Sequence, residues 1–188
     1  NGKLRTYGIV TSSDATYCGK EEVRNFYIEN LDNAFITQSA CNRIIKRTFL
    51  KEHNIVFKPF RRSQDVVFAW DLFDKIQRLS VTSNLYYNYI IQPGNFKGRS
   101  FEEMIRIFLD VYNYSLSYLS VWEKLTLDNK SFLDYRYIRA ILNYSSFFIV
   151  QKCKHNKRSL VEMLIQNPRI QKLFSDFDPR KTESRFVK

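Results

Sequence analysis

The sequence has 188 residues, of which 44% are hydrophobic and 16% aromatic. A chain of this size and composition can bury a core of its own, which excludes a disordered tail and predicts one domain or a domain with an appendage. Thirty lysines and arginines against nineteen aspartates and glutamates give a net charge of +11, so we expect an anionic partner: nucleic acid, a phosphorylated ligand or an acidic lipid surface.

The hydrophobic pattern of the first half alternates between helical and strand-like segments. Amphipathic helices are predicted at residues 21–31, 42–53 and 66–79, the last apolar enough to be buried on more than one side. Strands are predicted at residues 7–11, 55–57, 79–82 and 85–91. Asn54 is expected to end the second helix, and a Pro-Gly pair at 93–94 opens a loop.

The second half reads as nearly continuous helix. Ser100 and Glu103 form a capping-box pattern at the start of a helix over 101–122, and a second long helix is predicted over 131–154, which makes an antiparallel helical hairpin. Shorter helices follow at 160–166 and 169–174. The predicted fold class is α/β but predominantly helical, with a small, partial mixed sheet in residues 1–100 and a helical hairpin or bundle extension in residues 101–188.

Metal-ligand patterns are missing from the sequence. Cys18, Cys41 and Cys153 are far apart and show no Cys-x-x-Cys spacing, which favours a reducing compartment and argues against zinc. His53 and His155 lack a histidine at i+3 or i+4. No apolar run approaches the roughly 18 residues of a membrane span, so the segment is expected to be soluble or peripheral.

Four segments of the first half stand in a recognisable order. They are Ala-Cys-Asn-Arg-Ile-Ile-Lys-Arg-Thr-Phe-Leu at 40–50, His-Asn-Ile-Val-Phe at 53–57, Gln-Asp-Val-Val-Phe at 64–68 and Leu-Tyr-Tyr-Asn-Tyr at 85–89. This ordered set resembles the second half of bacterial family-two glycosyltransferases, which have the A-type nucleotide-sugar fold. The family's pattern is Trp-Asn-Lys-Leu-Tyr-Lys-Arg, Asn-Ile-x-Phe, Glu-Asp-x-x-Phe and Leu-Tyr-x-Tyr, and the resemblance covers 40 to about 91.

The resemblance implies a catalytic role for Asp65, the general base that deprotonates the acceptor hydroxyl in inverting members of the family. A positioned carboxylate contributes about 10²–10⁴ in rate to such a step. Gln64 departs from the family's Glu, and its neutral amide can hydrogen-bond a sugar but cannot take a proton. Asn42 and Arg43 would lie on the acceptor side, and Cys41 replaces a Trp that would stack on an acceptor ring.

Each of these residues also has a simpler interpretation. Ser63 and Asp65 suit the start of a helix, where a carboxylate gains roughly 0.3–1 kcal/mol from the helix dipole, and Asn42 suits a helix cap. Arg61 and Arg62 are either phosphate or sugar contacts or a solvated basic pair. Lys97 and Arg99 either close over a diphosphate leaving group or belong to an exposed loop.

The resemblance also implies a missing part. The family's nucleotide-binding half, with an Asp-x-Asp that holds Mg or Mn, would precede the strand-like start of this chain, and no strand here carries that motif. We therefore expect a C-terminal fragment that is inactive alone. The complete enzyme would transfer a sugar from a nucleotide-sugar donor to a saccharide or lipid-linked acceptor in surface polysaccharide synthesis, in the cytoplasm or at the inner face of the cell membrane.

Two further possibilities remain open at the level of sequence. The basic run at 152–158, with tyrosines at 114, 118, 135 and 144, could contact a membrane surface weakly or be a solvated helix end, and the helices could mediate a homodimer. The alternative function is a non-catalytic helical interaction or nucleic-acid-binding module. Against nucleic acid, most aromatics occupy core-facing positions and the cations are dispersed.

Overall fold

The computed structural model describes residues 12–88, 100–151 and 157–178, without the side chains of residues 35, 36 and 151. The chain is predominantly helical with a small two-stranded antiparallel sheet. The described elements, in chain order, are β1 (Ala15–Cys18), α1 (Lys20–Glu29), α2 (Ala34–Thr37), α3 (Arg47–Glu52), α4 (Gln64–Lys75), β2 (Arg78–Val81), α5 (Phe101–Val121), α6 (Leu127–Gln151), α7 (Lys157–Gln166) and α8 (Pro168–Ser175).

The described residues divide into two compact units. The first is drawn from Asn1–Lys58 and Phe68–Gln92, and the second from Pro59–Val67 and Pro93–Lys188. The first turn of α4 thus belongs to the second unit, and the rest of that helix belongs to the first. The predicted division into 1–100 and 101–188 stays a prediction.

The first unit is built on a short sheet and two helices. β1 pairs antiparallel with β2, from Ala15 opposite Val81 to Cys18 opposite Arg78. The Tyr27 ring lies 4.6 Å from the Trp70 ring and 4.5 Å from the Phe73 ring, centroid to centroid, and all three side chains are buried. Aromatic side chains bury a large area each, so this cluster dominates the core of the first unit.

The three helices predicted for the first half are present, but α3 is about half as long as predicted. α1 and α4 confirm the helices predicted at 21–31 and 66–79, although α4 ends at Lys75 and Leu79 lies in β2. The helix predicted over 42–53 begins only at Arg47: Ile45, Phe49 and Leu50 of its predicted stripe pack against the core, but Ile44 is fully exposed. Asn54, with φ of 50°, ends α3 in the left-handed conformation expected after a helix.

Among the strand predictions that fall on described residues, the one at 79–82 is confirmed by β2. Residues 55–57 form no strand: the Ile55 side chain packs with Phe68 and Leu72, and the Phe57 ring stacks on Phe68 at 4.4 Å, so side-chain packing holds this segment without a strand partner. Residues 85–88 are also outside any strand. Within the described ranges the sheet is antiparallel rather than mixed. The strand predicted at 7–11 lies outside the described residues, and β1 was not predicted.

The second unit contains the predicted helical hairpin. Ring contacts join α5 to α6 in reverse order along the two helices: Phe101 contacts Phe148 at 5.1 Å, and Tyr112 contacts Tyr137 at 5.5 Å. The two helices are therefore antiparallel. α6 begins at Leu127, four residues before the predicted start, and α7 and α8 confirm the two short C-terminal helices.

A buried polar network crosses the hairpin. The Tyr112 hydroxyl donates to Asp134 Oδ1 at 2.6 Å, and Lys130 Nζ donates to Asp134 Oδ2 at 2.7 Å. Asp134 is 1% exposed. Both of its oxygens are thus occupied, which offsets the cost of burying its charge. Lys130 Nζ also lies 3.8 Å from Asp176, next to the end of α8.

The Ser100 cap offers a first test of this unit. Ser100 Oγ accepts from the Glu103 backbone N–H at 3.1 Å, as the capping-box pattern predicted for the serine, while the Glu103 carboxylate pairs with Arg61. Replacing Ser100 by Ala is expected to lower the free energy of unfolding by about 1 kcal/mol. Denaturant titration checks this against Ser120→Ala, an exposed serine inside α5, and an equal effect of the two changes would contradict it.

Candidate active site

The residues that the resemblance singles out around Asp65 lie at the start of α4. Ser63 stands just before the helix, and its carbonyl accepts from the Val67 N–H at 3.2 Å. The Ser63 φ is 58°, a left-handed conformation, whereas a side-chain N-cap adopts extended backbone. The start of α4 is therefore a tight turn that presents Gln64 and Asp65, both exposed, in its first helical turn.

The Asp65 carboxylate accepts a hydrogen bond from the backbone of the next residue and remains exposed. Its Oδ1 accepts from the Val66 N–H at 3.0 Å. This contact fixes the side chain close to the helix terminus, where the N–H dipoles favour a negative charge. The carboxylate is therefore held at one oxygen and is accessible from solvent.

Two arginines precede Asp65, and one of them has a partner on another helix. Arg61 Nη1 lies 3.2 Å from Glu103 Oε1, with the Arg61 side chain 75% exposed and the Glu103 side chain 18% exposed. Arg62 is half-buried and also interacts with other groups. Sequence reasoning missed the pair of Arg61 with Glu103, because 42 residues separate the two and no local pattern relates them.

Asp65 also acts on a buried tyrosine of α6. Burial raises the pKa of the Tyr137 hydroxyl; the hydrogen bond with Ser115 Oγ at 3.4 Å and the positive charge of Arg136 oppose that increase, and the negative charge of Asp65 adds a smaller contribution to it. Tyr112 has its pKa raised as well, mainly by burial and then by its hydrogen bond to Asp134. Tyr137 lies within the helix predicted over 131–154, and no signal in the sequence related it to Asp65.

The raised pKa of these two tyrosines predicts that the free energy of unfolding falls at high pH. Their folded-state pKa lies above the unfolded value of about 10, so their contribution is complete below about pH 10 and is lost as the pH rises further. Unfolding should then become easier by about 1.4 kcal/mol per pH unit for each tyrosine. We expect Tyr112→Phe, measured by denaturant unfolding against pH, to have a shallower decline than the wild type; parallel declines would contradict the assignment.

Asn42 and Arg43 belong to the first unit. Asn42 is exposed and lies in a turn, five residues before α3 begins, so it does not cap that helix. Arg43 is half-buried: its Nη2 donates to the Thr37 carbonyl at 3.2 Å, and its guanidinium carbon lies 5.7 Å from the Phe73 ring centre. The Arg43 side chain thus packs within its own unit.

Lys97 and Arg99 lie outside the described residues. Across residues 12–88, 100–151 and 157–178, no group of three His, Cys, Asp or Glu side chains could hold a metal ion. In the same part of the chain, no helix is long and apolar enough to cross a membrane. Cys18 and Cys41 are exposed free thiols.

Comparison with known proteins gives no relative for this arrangement: no protein-family model, curated protein or solved structure matches the chain.

Proposed function

We propose that this chain is the acceptor-side, C-terminal part of a family-two glycosyltransferase, with Asp65 as the general base. The supporting observation is the exposed Asp65 carboxylate, oriented by the Val66 N–H in the first turn of α4. The same proposal includes a finer fold assignment: the chain is the C-terminal half of an A-type nucleotide-sugar domain, followed by a helical extension. This assignment rests on the ordered resemblance over residues 40 to about 91.

In the proposed reaction, Asp65 takes the proton of an acceptor hydroxyl. The acceptor oxygen then forms a bond to the anomeric carbon of the donor sugar, while the bond from that carbon to the nucleoside diphosphate breaks and the diphosphate leaves with the electron pair. A sugar hydroxyl is a weak nucleophile, so the positioned carboxylate supplies the rate gain. Gln64, exposed beside Asp65, can donate a hydrogen bond to a neighbouring hydroxyl of the acceptor.

The cations near Asp65 suit an anionic or polyhydroxylated ligand. Arg61 is largely exposed even though it pairs with Glu103, so its guanidinium is accessible to a ligand from solvent. Arg62 precedes the same turn. Asn42 and Arg43 keep the acceptor-side role that the resemblance gives them, and the Arg43 contacts to Thr37 and Phe73 would fix its position.

The Mg or Mn that the resemblance implies does not fit the described residues, which offer no three-ligand group. Under this proposal the metal and the nucleotide belong to the nucleotide-binding half of the complete enzyme. Asp65 acts at the acceptor hydroxyl, and its step does not pass through the metal. The complete enzyme would work in the cytoplasm or at the inner face of the membrane, in surface polysaccharide synthesis.

A transfer assay tests the proposal. The chain, joined to its nucleotide-binding half, is incubated with a panel of nucleotide sugars and saccharide or lipid-linked acceptors, and release of nucleoside diphosphate is followed. We expect release that depends on the acceptor. No acceptor-dependent release with any donor, together with steeply salt-dependent retention on DNA or RNA, would favour the non-catalytic nucleic-acid-binding alternative instead.

A further inference from the structure

Helix α7 carries an apolar face that is exposed among the residues that the structure describes. The helix packs on α8, and Leu160, Met163 and Leu164 are half-buried. No residue of α7 is fully buried. On another side, Val161 is 41% exposed and Ile165 is 63% exposed. Single exposed aliphatics are ordinary, but these two lie one turn apart and form a continuous strip.

Two cations flank this strip. Lys157 lies one turn before Val161 on the same side of the helix, and Arg158 lies on the other edge of the strip, one turn below Glu162. Both cations are exposed. Arg158 Nε lies 2.8 Å from Glu162 Oε1, but the two side chains are 92% and 50% exposed, and an exposed i,i+4 pair is worth only about 0.3–0.5 kcal/mol to the folded chain. Arg158 can therefore exchange this partner for another anion.

We propose that the α7 face formed by Lys157, Arg158, Val161 and Ile165 docks on an anionic lipid bilayer. A short helix with branched aliphatics on one side and cations beside them lies in the interface plane, with the aliphatics below the headgroups and the cations among the phosphates. The net charge of +11 adds long-range attraction to such a surface. The proposal names the partner of this helix and does not depend on sugar transfer.

Two other occupants fit the same face less well. A nucleic acid would gain from the cations but nothing from Val161 and Ile165, because bases stack on aromatic rings rather than on aliphatics. A second copy docked by the same face would bring two more cations with one carboxylate, Glu162, so that two faces of net positive charge would oppose each other. Charge complementarity together with the aliphatic strip therefore favours the bilayer.

Vesicle co-sedimentation of the 188-residue chain tests the proposal, with phosphatidylglycerol-containing vesicles compared with pure phosphatidylcholine. Val161→Ser with Ile165→Ser is expected to weaken binding at least about tenfold, because the buried aliphatic area is lost. Lys157→Gln with Arg158→Gln is expected to weaken it roughly 25-fold, since each cation near an anionic surface contributes about fivefold in affinity.

Matched variants separate this face from charge attraction by the whole protein. Lys46→Gln with Arg47→Gln removes an adjacent, exposed Lys-Arg pair from the first unit, and Val121→Ser with Leu127→Ser removes two exposed aliphatics from the ends of α5 and α6. Both double variants should bind within about twofold of the wild type. The proposal is wrong if these controls lose as much binding as the α7 variants, if phosphatidylcholine alone binds equally well, or if the wild type does not bind at all. Circular dichroism confirms that each variant is folded.

Discussion

Asp65→Asn is expected to lower the turnover of sugar transfer by about 10²–10⁴-fold. The amide has the shape of the carboxylate and can still hydrogen-bond an acceptor hydroxyl, but it cannot accept the proton. The neighbouring Gln64 is already an amide and cannot substitute as the base. Because Asp65 is exposed and its Oδ1 contact is to the adjacent backbone N–H, the change should leave the fold intact.

Asp128→Asn is the matched control for this change. Asp128 is exposed and lies in the first turn of α6, as Asp65 lies in the first turn of α4. Both substitutions remove a charge that gains roughly 0.3–1 kcal/mol from a helix N-terminus, so both should lower stability slightly and equally. Only Asp65→Asn should lower turnover. Similar turnover in the two variants would reduce Asp65 to a residue that stabilises the helix.

The largest expected effect on stability comes from Asp134. Replacing Asp134 by Ala should lower the free energy of unfolding by about 3–5 kcal/mol, because it leaves the Lys130 ammonium without its nearest carboxylate and the buried Tyr112 hydroxyl without its acceptor. The loss should exceed the simple energy of two hydrogen bonds, since the Tyr112 hydroxyl stays away from water.

Asp134→Asn and Asp128→Ala are the variants with which the loss of stability in Asp134→Ala is compared. The asparagine keeps an acceptor for Tyr112 but not the charge opposite Lys130, so an intermediate loss is expected. The Asp128 change removes an exposed carboxylate of the same helix and should cost less than about 1 kcal/mol. Denaturant unfolding followed by circular dichroism measures all three. A loss for Asp134→Ala no larger than that for Asp128→Ala would show that the network does not stabilise the hairpin.

The parts of the fold that were predictable from sequence are those that a local pattern specifies. The long stripes of α5 and α6 run over many turns, and Ser100 supplies a cap with its own backbone partner, so the hairpin follows from periodicity and capping. The end of α3 at Asn54 was also predictable from sequence. Asn54 has the left-handed conformation that often ends a helix, and few residue types adopt it.

Short apolar runs were harder to assign. Ile55 and Phe57 are in a sequence typical of a strand, yet their side chains pack against α4 without a ladder. Leu85, Tyr86 and Tyr87 are exposed and lie outside any strand. A strand needs a hydrogen-bonding neighbour, which lies elsewhere in the chain, so three or four apolar residues cannot specify one by themselves.

The candidate site was predictable only as a set of residue types. The resemblance singled out Asp65, and the structure places it exposed in the first turn of α4. The contact of Arg61 with Glu103 and the influence of Asp65 on Tyr137 depend on residues distant in sequence. Such contacts arise from the packing of whole elements, and no spacing rule in a single sequence contains them.

The most direct test of the proposed function separates proton transfer from donor binding in a single experiment. The single-turnover rate of sugar transfer and the affinity for the nucleotide sugar are measured side by side for Asp65→Asn and the wild type, in the complete enzyme that the proposal predicts. We expect the transfer rate to fall by about 10²–10⁴-fold while donor affinity stays within about twofold. A wild-type transfer rate in the variant would contradict the assignment of Asp65 as the base.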